Sequence, residues 1–388
     1  MNRRVLVLAS ASHCVNHMFF ESLGPLLPFL IVTLDLTHGQ AGWLGFVYYV
    51  VYGLSSYPSG RWSDRYGRRI LIMLFLVIAS SATTLMAFSS SYTYLVFLCG
   101  LAGFGGGLYH PAGTALVSAH FEKIERGKAL GAHASGGSIG VLLAFVVVGG
   151  IASHWNWRIA LISLSFLGFA LAICFKLLLW NSDRHPQNEK QEGLASENEN
   201  ISSRGLIRLL LYMLFIYGTV MFIWKGAYTW IPTYLKETYN LSSGMAIMFS
   251  VILPSIGVFS NYLMGRFSDY YGRKRSLVLV FAFLALAFFL LFLGKRPLLI
   301  PLLVLMGFFL NSFSGIINAY VGDVIPFKLL ARAFGILFAF SFCIGALASY
   351  LMGLISDVSS LSMSMLLLGI ISLAGAIVSI IIPRKFTV

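Results

Sequence analysis

Residues 60–69, GRWSDRYGRR, return with small changes as residues 265–274, GRFSDYYGRK. The two copies share seven of ten residues and begin 205 residues apart. Charged residues are scarce elsewhere, because Asp, Glu, Lys and Arg make up only 11% of the 388 residues, against about 25% in a typical soluble domain. A dense charged motif that occurs twice in such a chain indicates an internal duplication.

Long apolar segments flank both copies of this repeated motif. The chain is 58% hydrophobic, and a helix needs about 20 apolar residues to cross the hydrocarbon layer. Backbone groups in lipid have no water partners, so each segment is predicted to be helical. The predicted spans are 5–31, 41–59, 70–88, 93–118, 129–150, 159–180, 207–233, 243–264, 276–293, 298–322, 332–355 and 362–382. The predicted fold class is an all-α integral membrane protein with 12 transmembrane helices.

One extended polar stretch divides these spans into two sets of six. Residues 181–206 are poor in apolar residues and rich in Asn, Glu and Ser, a composition typical of a flexible linker. We therefore predict a six-helix bundle at 1–180, a cytoplasmic linker at 181–206 and a second six-helix bundle at 207–388. A weaker repeat, RGKALG at 126–131 and LARAFG at 330–335, opens the fifth span of each half.

The net charge of +13 reflects membrane orientation rather than a nucleic-acid partner. Most of the 27 Lys and Arg residues fall on one side of the membrane if the N-terminus is cytoplasmic, as the positive-inside rule requires. We expect a multi-pass protein of the cytoplasmic (inner) membrane with both termini in the cytoplasm. The N-terminal apolar run continues to Ile31 as a full span, so we do not expect a cleaved signal peptide.

The pattern resembles a known family. Six plus six spans, a polar central loop and the motif G-x-x-x-D-R-x-G-R-R between spans two and three resemble the major facilitator superfamily. Residues 12–30 and 106–140 resemble its fosmidomycin-resistance-type efflux proteins. The resemblance implies two pseudo-symmetric bundles that transport a substrate by alternating access, and no enzyme activity. We expect a monomer that handles a small-molecule substrate and protons in the lipid bilayer, with the proton gradient as energy source and no cofactor or metal.

Each copy of the repeated motif suits a tight turn on the cytoplasmic face. Its glycines permit the turn and close helix contact, and its arginines anchor it. The resemblance implies that Asp64 contacts the opposite half when the cytoplasmic side is closed, and the duplication extends this role to Asp269. The alternative is a turn that only fixes topology. The predicted latch residues are Gly60, Asp64, Arg65, Gly67, Arg68, Asp269 and Arg273.

Glu21 is the one acid that falls well inside a predicted span. An ionisable group inside the membrane is costly and indicates function by default. His13, His17 and Glu21 are spaced by four residues, so they share one helix face with Asn16 beside them. That face is predicted to look into a protein cavity.

Lys225 occupies the matching position of the second half. Glu21 precedes Pro28 by seven residues, and Lys225 precedes Pro232 by seven. Since the resemblance places helices one and seven at the centre, the acid and the base can approach each other across the pseudo-twofold axis. Protonation of Glu21, or an anion bound at Lys225, would then change which state is preferred; the alternative is a structural ion pair.

The two histidines allow several interpretations. His13 and His17 either relay protons, for which an ordinary pKa near 6.5 is suited, or form hydrogen bonds within the bundle. With Glu21 they also form a feasible metal face, but the sequence offers no convincing fourth ligand. The predicted coupling residues are Glu21, His17, His13 and Lys225.

Further cavity residues follow from the helices that the resemblance places at the centre. They are Asn16, Tyr109, His110, His133, Trp224, Tyr228, Asn311 and Asn318. Span four lacks the buried arginine, and span five the Gly-Pro pair, of many drug/proton antiporters in the superfamily. The direction of exchange therefore stays open.

The leading functional hypothesis is a proton-coupled exporter of small amphipathic organic molecules. One alternative is an uptake symporter of a small organic anion, with Lys225 as the anion-binding residue, and another is a metal or metal-chelate transporter. An intramembrane enzyme is disfavoured because no nucleotide-binding, nucleophile or metalloprotease motif accompanies the His/Glu face. A non-transporting receptor is disfavoured because both halves keep the repeated motif.

Overall fold

The described residues form helices joined by short turns. The computed structural model describes residues 2–179, 203–325 and 327–381. The first half contains α1 (Asn2–Glu21), α2 (Leu23–Leu34), α3 (His38–Tyr66), α4 (Arg68–Phe88), α5 (Tyr92–Gly107), α6 (Tyr109–His120), α7 (Lys123–Leu143), a π-helical turn (Ala144–Val148), α8 (Gly149–His154) and α9 (Trp157–Leu179). The second half contains α10 (Ser203–Tyr239), α11 (Ser243–Ser250), α12 (Ile252–Tyr271), α13 (Arg273–Phe292), a 3₁₀ turn (Arg296–Leu298), α14 (Leu299–Val324), α15 (Phe327–Val358) and α16 (Leu361–Ile381). Over these residues the predicted all-helical class is confirmed.

Three predicted spans are broken at prolines. Helix α1 ends at Glu21, α5 at Gly107 and α11 at Ser250. A proline follows each of these residues by four positions, at Pro25, Pro111 and Pro254. Proline has no amide hydrogen, so the carbonyl four residues earlier loses its helical partner and the helix breaks there. The break in the first span therefore falls directly after the buried acid.

Eleven segments of the described residues are long and apolar enough to cross a membrane, judged by length and composition. The remaining predicted span, 41–59, lies within α3, a continuous helix of 29 residues. Tyrosines and serines between positions 48 and 59 lower its hydropathy. These polar groups point to a span that faces other helices more than lipid.

The helices extend beyond the predicted apolar segments. Hydropathy marks only the part of a helix that suits lipid, whereas the backbone hydrogen bonds continue past it. Helix α10 begins at Ser203, so the last four residues of the predicted linker 181–206 are helical. The linker residues before Ser203 lie outside the described residues.

The two halves meet along close backbone contacts. Helix α3 packs on α15, α2 on α10, α8 on α11 and α7 on α12. Glycine makes this approach possible, because a Cβ on Gly24 would overlap the carbonyl oxygen of Tyr228. A Cβ on Gly42 would overlap the carbonyl oxygen of Ser349 in the same way. The carbonyl of Tyr228 is the one that Pro232 leaves without a helical amide partner.

One group of polar contacts between the halves lies at the end of the bundle opposite the repeated motif. We call the end that carries His38, Lys236, Glu237 and Asp357 the closed end, since these residues join the halves there. Lys236 Nζ, for example, donates to the carbonyl of Pro28 at 2.9 Å. At the other end, the motif end, Gly67 and Gly272 have φ angles of 99° and 91°. Glycine adopts these positive values readily, and both copies make the same turn.

Candidate functional site

A buried ion pair joins the halves near the middle of their spans. Glu21 is the last residue of α1, and Lys225 lies in the interior of α10. Lys225 Nζ donates to Glu21 Oε1 at 2.5 Å, and the two side chains are only 1% and 2% exposed. Glu21 and Lys225 therefore contact each other across the two halves, as the repeat predicts. Removing either charge would leave the other buried without a partner.

Three aromatic rings surround the ammonium group of Lys225. Its Nζ lies 3.4 Å from the ring centroid of Phe20, 4.2 Å from that of Tyr49 and 4.6 Å from that of Trp224. The electron-rich faces of aromatic rings attract cations, most strongly where water is excluded. The cage therefore offsets part of the cost of burying the lysine. Phe20 and Tyr49 come from the first half, so both halves build the cage.

The second half adds hydrogen-bonded polar groups beside this pair. The amide of Asn311 donates to Tyr228 Oη at 2.9 Å, and the Tyr228 ring lies 4.8 Å from that of Trp224. Farther along, Tyr217 donates to Asn318 Oδ1 at 2.6 Å. Trp224, Tyr228 and Asn311 thus form a group next to Lys225, whereas Asn318 belongs to a separate contact.

Four histidines gather in the first half, on the motif side of Glu21. The ring of His13 lies 4.9 Å from that of His17, 5.1 Å from that of His110 and 4.4 Å from that of His133, measured between centroids. The close packing of α7 on α1 brings them together, because a Cβ on Gly136 would overlap the carbonyl of Ser10. The structure therefore links His110 and His133 to the histidines of the first span, which the sequence treats only as separate cavity residues. A relay through His13 and His17 stays a prediction.

Two predicted cavity residues hold helices together in this structure. Asn16 is fully buried, its amide donates to the carbonyl of Gly106 at 2.9 Å, and its Oδ1 accepts from Tyr52 at 2.9 Å. Tyr109 is also fully buried and donates to the carbonyl of Ala9 at 2.6 Å. Their role in a substrate cavity stays a prediction.

The two copies of the repeated motif differ in their contacts. Asp64 is exposed. Asp269 pairs with Arg273, which also donates to Asp323 Oδ2 at 3.0 Å. These three residues belong to the second half, so the pair does not reach across to the first. Of the other predicted latch residues, Arg65 lies over the Tyr66 ring, Gly60 is half-buried and Arg68 begins α4.

His38 bridges the halves at the closed end. No sequence motif marks this residue. His38 begins α3, and its Nε2 lies 3.0 Å from Glu237 Oε1. The backbone amides of His38 and Gly39 donate to the carboxylate of Asp357 at 2.7 and 2.8 Å. An acid of the second half therefore sits at the N-terminus of a first-half helix, where the helix dipole favours negative charge.

The hydrogen bond with Glu237, together with the charges of Glu237 and Asp357, raises the pKa of His38 above 6.5, although partial burial acts the other way. A raised pKa means that protonated His38 stabilises the closed end below pH 6.5 and that this contribution is lost as pH rises through the raised value.

We expect wild type to unfold at a higher temperature than His38→Gln at about pH 5 but not at about pH 9. Thermal unfolding across this range, with the exposed His154→Gln as control, measures the difference. If the difference in unfolding temperature between wild type and His38→Gln stayed constant or grew as the pH rises, protonated His38 would not be the stabilising form.

Comparison with known proteins agrees with this architecture. A family model described as Major Facilitator Superfamily matches residues 9–267 and 253–387. A probable 4-methylmuconolactone transporter of Cupriavidus pinatubonensis is 25% identical over 332 residues, which are 83% of this chain and 76% of that protein. The fosmidomycin resistance protein of Escherichia coli is 24% identical over 371 residues, 92% of this chain and 88% of that protein.

A solved structure has the same fold. The bacterial homologue of the human lysosomal transporter Spinster, in an inward-facing and unoccupied conformation, superposes with a TM-score of 0.84. The match covers 99% of this chain and 97% of that one at 16% identity. Because the family model spans nearly the whole chain, the membership predicted from the repeated motif is confirmed. The chain belongs to the major facilitator superfamily and is a multi-pass membrane transporter, not an enzyme.

Proposed function

We propose that this transporter is coupled to protons and exports small amphipathic organic molecules by alternating access. The observation that carries the proposal is the Glu21–Lys225 ion pair, which is buried and joins the two halves. An ion pair across a moving interface can be made or broken by a single proton. Its charge state therefore favours one arrangement of the halves over the other.

The coupling step follows from the charges of the pair. While Glu21 is ionised, its attraction to Lys225 holds the halves together near the middle of the spans. Protonation of Glu21 removes this attraction and leaves the ammonium group with only the rings of Phe20, Tyr49 and Trp224 around it. An unpaired buried cation is costly, so the halves move to a state in which Lys225 meets water or another partner.

The proposed direction rests on orientation and on the ionised pair. The positive-inside distribution predicts that the closed end faces the outside of the cell. We place the protein in the inner membrane with both termini in the cytoplasm. An ionised Glu21 then corresponds to a transporter that has released its proton inward. This is the state in which an exporter takes up substrate from the cytoplasm.

The proposed substrate class follows from the residues around the pair. Trp224, Tyr228 and Phe20 place large aromatic side chains beside the pair, and Asn311 adds an amide that donates to Tyr228. A cavity that opens between the halves here would be lined by aromatic rings and few polar groups, which suits a molecule with an aromatic or aliphatic body. The names of the relatives support an organic substrate, since one is a resistance protein for fosmidomycin and another a probable transporter of 4-methylmuconolactone.

The test is transport by protein reconstituted in liposomes with an imposed pH gradient. A panel of amphipathic compounds is loaded, and substrate movement and proton movement are recorded together. We expect at least one compound to move uphill against inward proton flow, at a rate that falls to the passive value when an ionophore collapses the gradient. If the transport rate of every transported compound were the same with and without the pH gradient, proton coupling would be contradicted.

The uptake symporter is the second candidate, and Lys225 is the feature that favours it. Once Glu21 is protonated, the ammonium group is free to bind a carboxylate or another small anion. In the same liposomes this mechanism moves an organic anion in the same direction as the proton. Co-directional flow would replace the exporter proposal with the symporter and leave proton coupling intact.

A further inference from the structure

Three histidines of the first half present ring nitrogens to a common point. One nitrogen from each of His13, His17 and His110 lies within 4.8 Å of the others. His13 and His17 come from successive turns of α1, and His110 comes from the start of α6. The coupling step proposed for the Glu21–Lys225 pair does not use these residues.

Hydrogen bonding identifies the free lone pair of His13. Its Nδ1 lies 2.8 Å from the carbonyl oxygen of His133. A carbonyl only accepts, so Nδ1 carries the hydrogen and Nε2 of the neutral ring carries the lone pair. A ring nitrogen held by a carbonyl is the usual arrangement of a histidine that binds a metal through its other nitrogen.

Two ring nitrogens of this cluster are buried without a partner. Within the described residues, His13 Nε2 and His17 Nδ1 are buried and make no hydrogen bond. A buried polar atom without a hydrogen-bond partner is costly. Two such nitrogens on neighbouring rings therefore point to a bound species that satisfies them.

The spacing of the rings fits a tetrahedral metal ion. With metal–nitrogen bonds of about 2.0–2.1 Å, the centroids of two ligating imidazole rings lie about 5 Å apart. The observed centroid distances are 4.9 Å for His13 and His17, 5.1 Å for His13 and His110, and 5.5 Å for His17 and His110. Two nitrogens on a tetrahedral metal lie about 3.3 Å apart, so rotations of the side chains must bring the nitrogens, now within 4.8 Å of one another, closer together.

A glycine keeps the space between the rings open. A Cβ on Gly137 would lie 3.0 Å from His13 Nε2 and 3.0 Å from His17 Cδ2. Gly136 and Gly140 bring α7 against the backbone of α1 at Ser10 and Cys14. A side chain at position 137 would press on both rings, including the Nε2 of His13.

We propose that His13, His17 and His110 form a binding site for one divalent transition-metal ion of the zinc class. Imidazole ligands suit zinc and its neighbours in the first transition row, and three ligands from two helices fit the tetrahedral geometry that zinc prefers. Three protein ligands leave a fourth position for water, an anion or a metal-bound substrate. The site goes beyond the proposed proton coupling, since neither Glu21 nor Lys225 is a ligand.

The test is metal binding by purified, tag-free protein in detergent after chelator treatment. Co²⁺ replaces zinc in such sites and gives visible absorption bands that reveal a low coordination number. We expect one equivalent of Co²⁺ to bind wild type and Zn²⁺ to displace it. His17→Gln and His110→Gln should each weaken binding about 100-fold or more, because altering a metal ligand costs at least as much as altering its supporting groups.

Matched controls separate this site from adventitious binding. His154 is exposed, lies at the closed end and donates to Gly150, so His154→Gln should bind Co²⁺ as wild type does. Gly137→Ala keeps all three histidines and should still weaken binding, because its methyl group meets the rings. X-ray absorption of Co²⁺-bound wild type should show three imidazole ligands, a result that needs no variant to fold.

Three results would overturn the proposal. They are a wild type that binds no Co²⁺, fewer than three imidazole ligands in the X-ray absorption spectrum, or affinity unchanged in both His17→Gln and His110→Gln. A transporter that loses metal binding in these variants but keeps its pH-driven flux would support a metal site separate from the coupling pair.

Discussion

Glu21→Gln is expected to abolish accumulation driven by a pH gradient while leaving substrate binding and passive exchange measurable. The glutamine fills the same space as a protonated glutamate and cannot release a proton, so it holds position 21 in the neutral state. The halves can still move and the substrate surface of Trp224 and Tyr228 is unaltered. Counterflow of labelled substrate at equal pH should therefore persist, and uphill flux should fall to the level of empty liposomes.

The matched control for this variant is Glu125→Gln. Glu125 lies in the first turn of α7 and is exposed, so its loss removes an acid of the same length without touching the pair. It should transport as wild type does. Concentrative transport by Glu21→Gln at the wild-type rate would show that another group carries the proton.

Lys225→Met should destabilise the protein more than any other single change at this site. It leaves Glu21 buried without a cation, and breaking a buried pair by removing one partner costs about 3–5 kcal/mol. Protonation of Glu21 limits the loss, so the destabilisation should grow as pH rises. Thermal unfolding in detergent measures it, and proton-driven flux should be lost as well.

The double variant Glu21→Gln/Lys225→Met separates stability from coupling. It removes both charges, so most of the stability lost in Lys225→Met should return. Uphill transport should stay absent, because no group at the site exchanges a proton. If the effects of the two single changes on stability were additive, the two residues would not be energetically coupled.

The fold could be predicted because its signals are local or repeated. Apolar length indicates each span, and the offset between the motif at residues 60–69 and its copy at 265–274 aligns the two halves. An offset of 204 residues, one less than that of the motif, matches Glu21 with Lys225, since both precede a proline by seven residues. The helix breaks at Glu21, Gly107 and Ser250 lie four residues before prolines, but Pro28, Pro58 and Pro232 lie inside continuous helices. Proline positions alone therefore do not predict where a helix breaks.

The roles of several site residues could not be predicted because they depend on partners that sequence spacing does not show. Asn16 and Tyr109 bind the carbonyls of Gly106 and Ala9, which are 90 and 100 residues away in the chain. His110 joins His13 and His17 only because α6 and α7 pack tightly on α1. His38 gains its importance from Glu237 and Asp357, which carry no motif at all.

The central claim is that the charge state of Glu21 decides which arrangement of the halves is preferred. Its most direct test is the distance between spin labels at positions 61 and 266, which lie at the motif end in opposite halves. The four native cysteines are replaced first, and His38→Gln removes the pH response of the closed end. We predict that the distance distribution shifts with pH when Glu21 is present and stays fixed at the low-pH distribution in Glu21→Gln. The same pH-dependent shift in Glu21→Gln would contradict the claim.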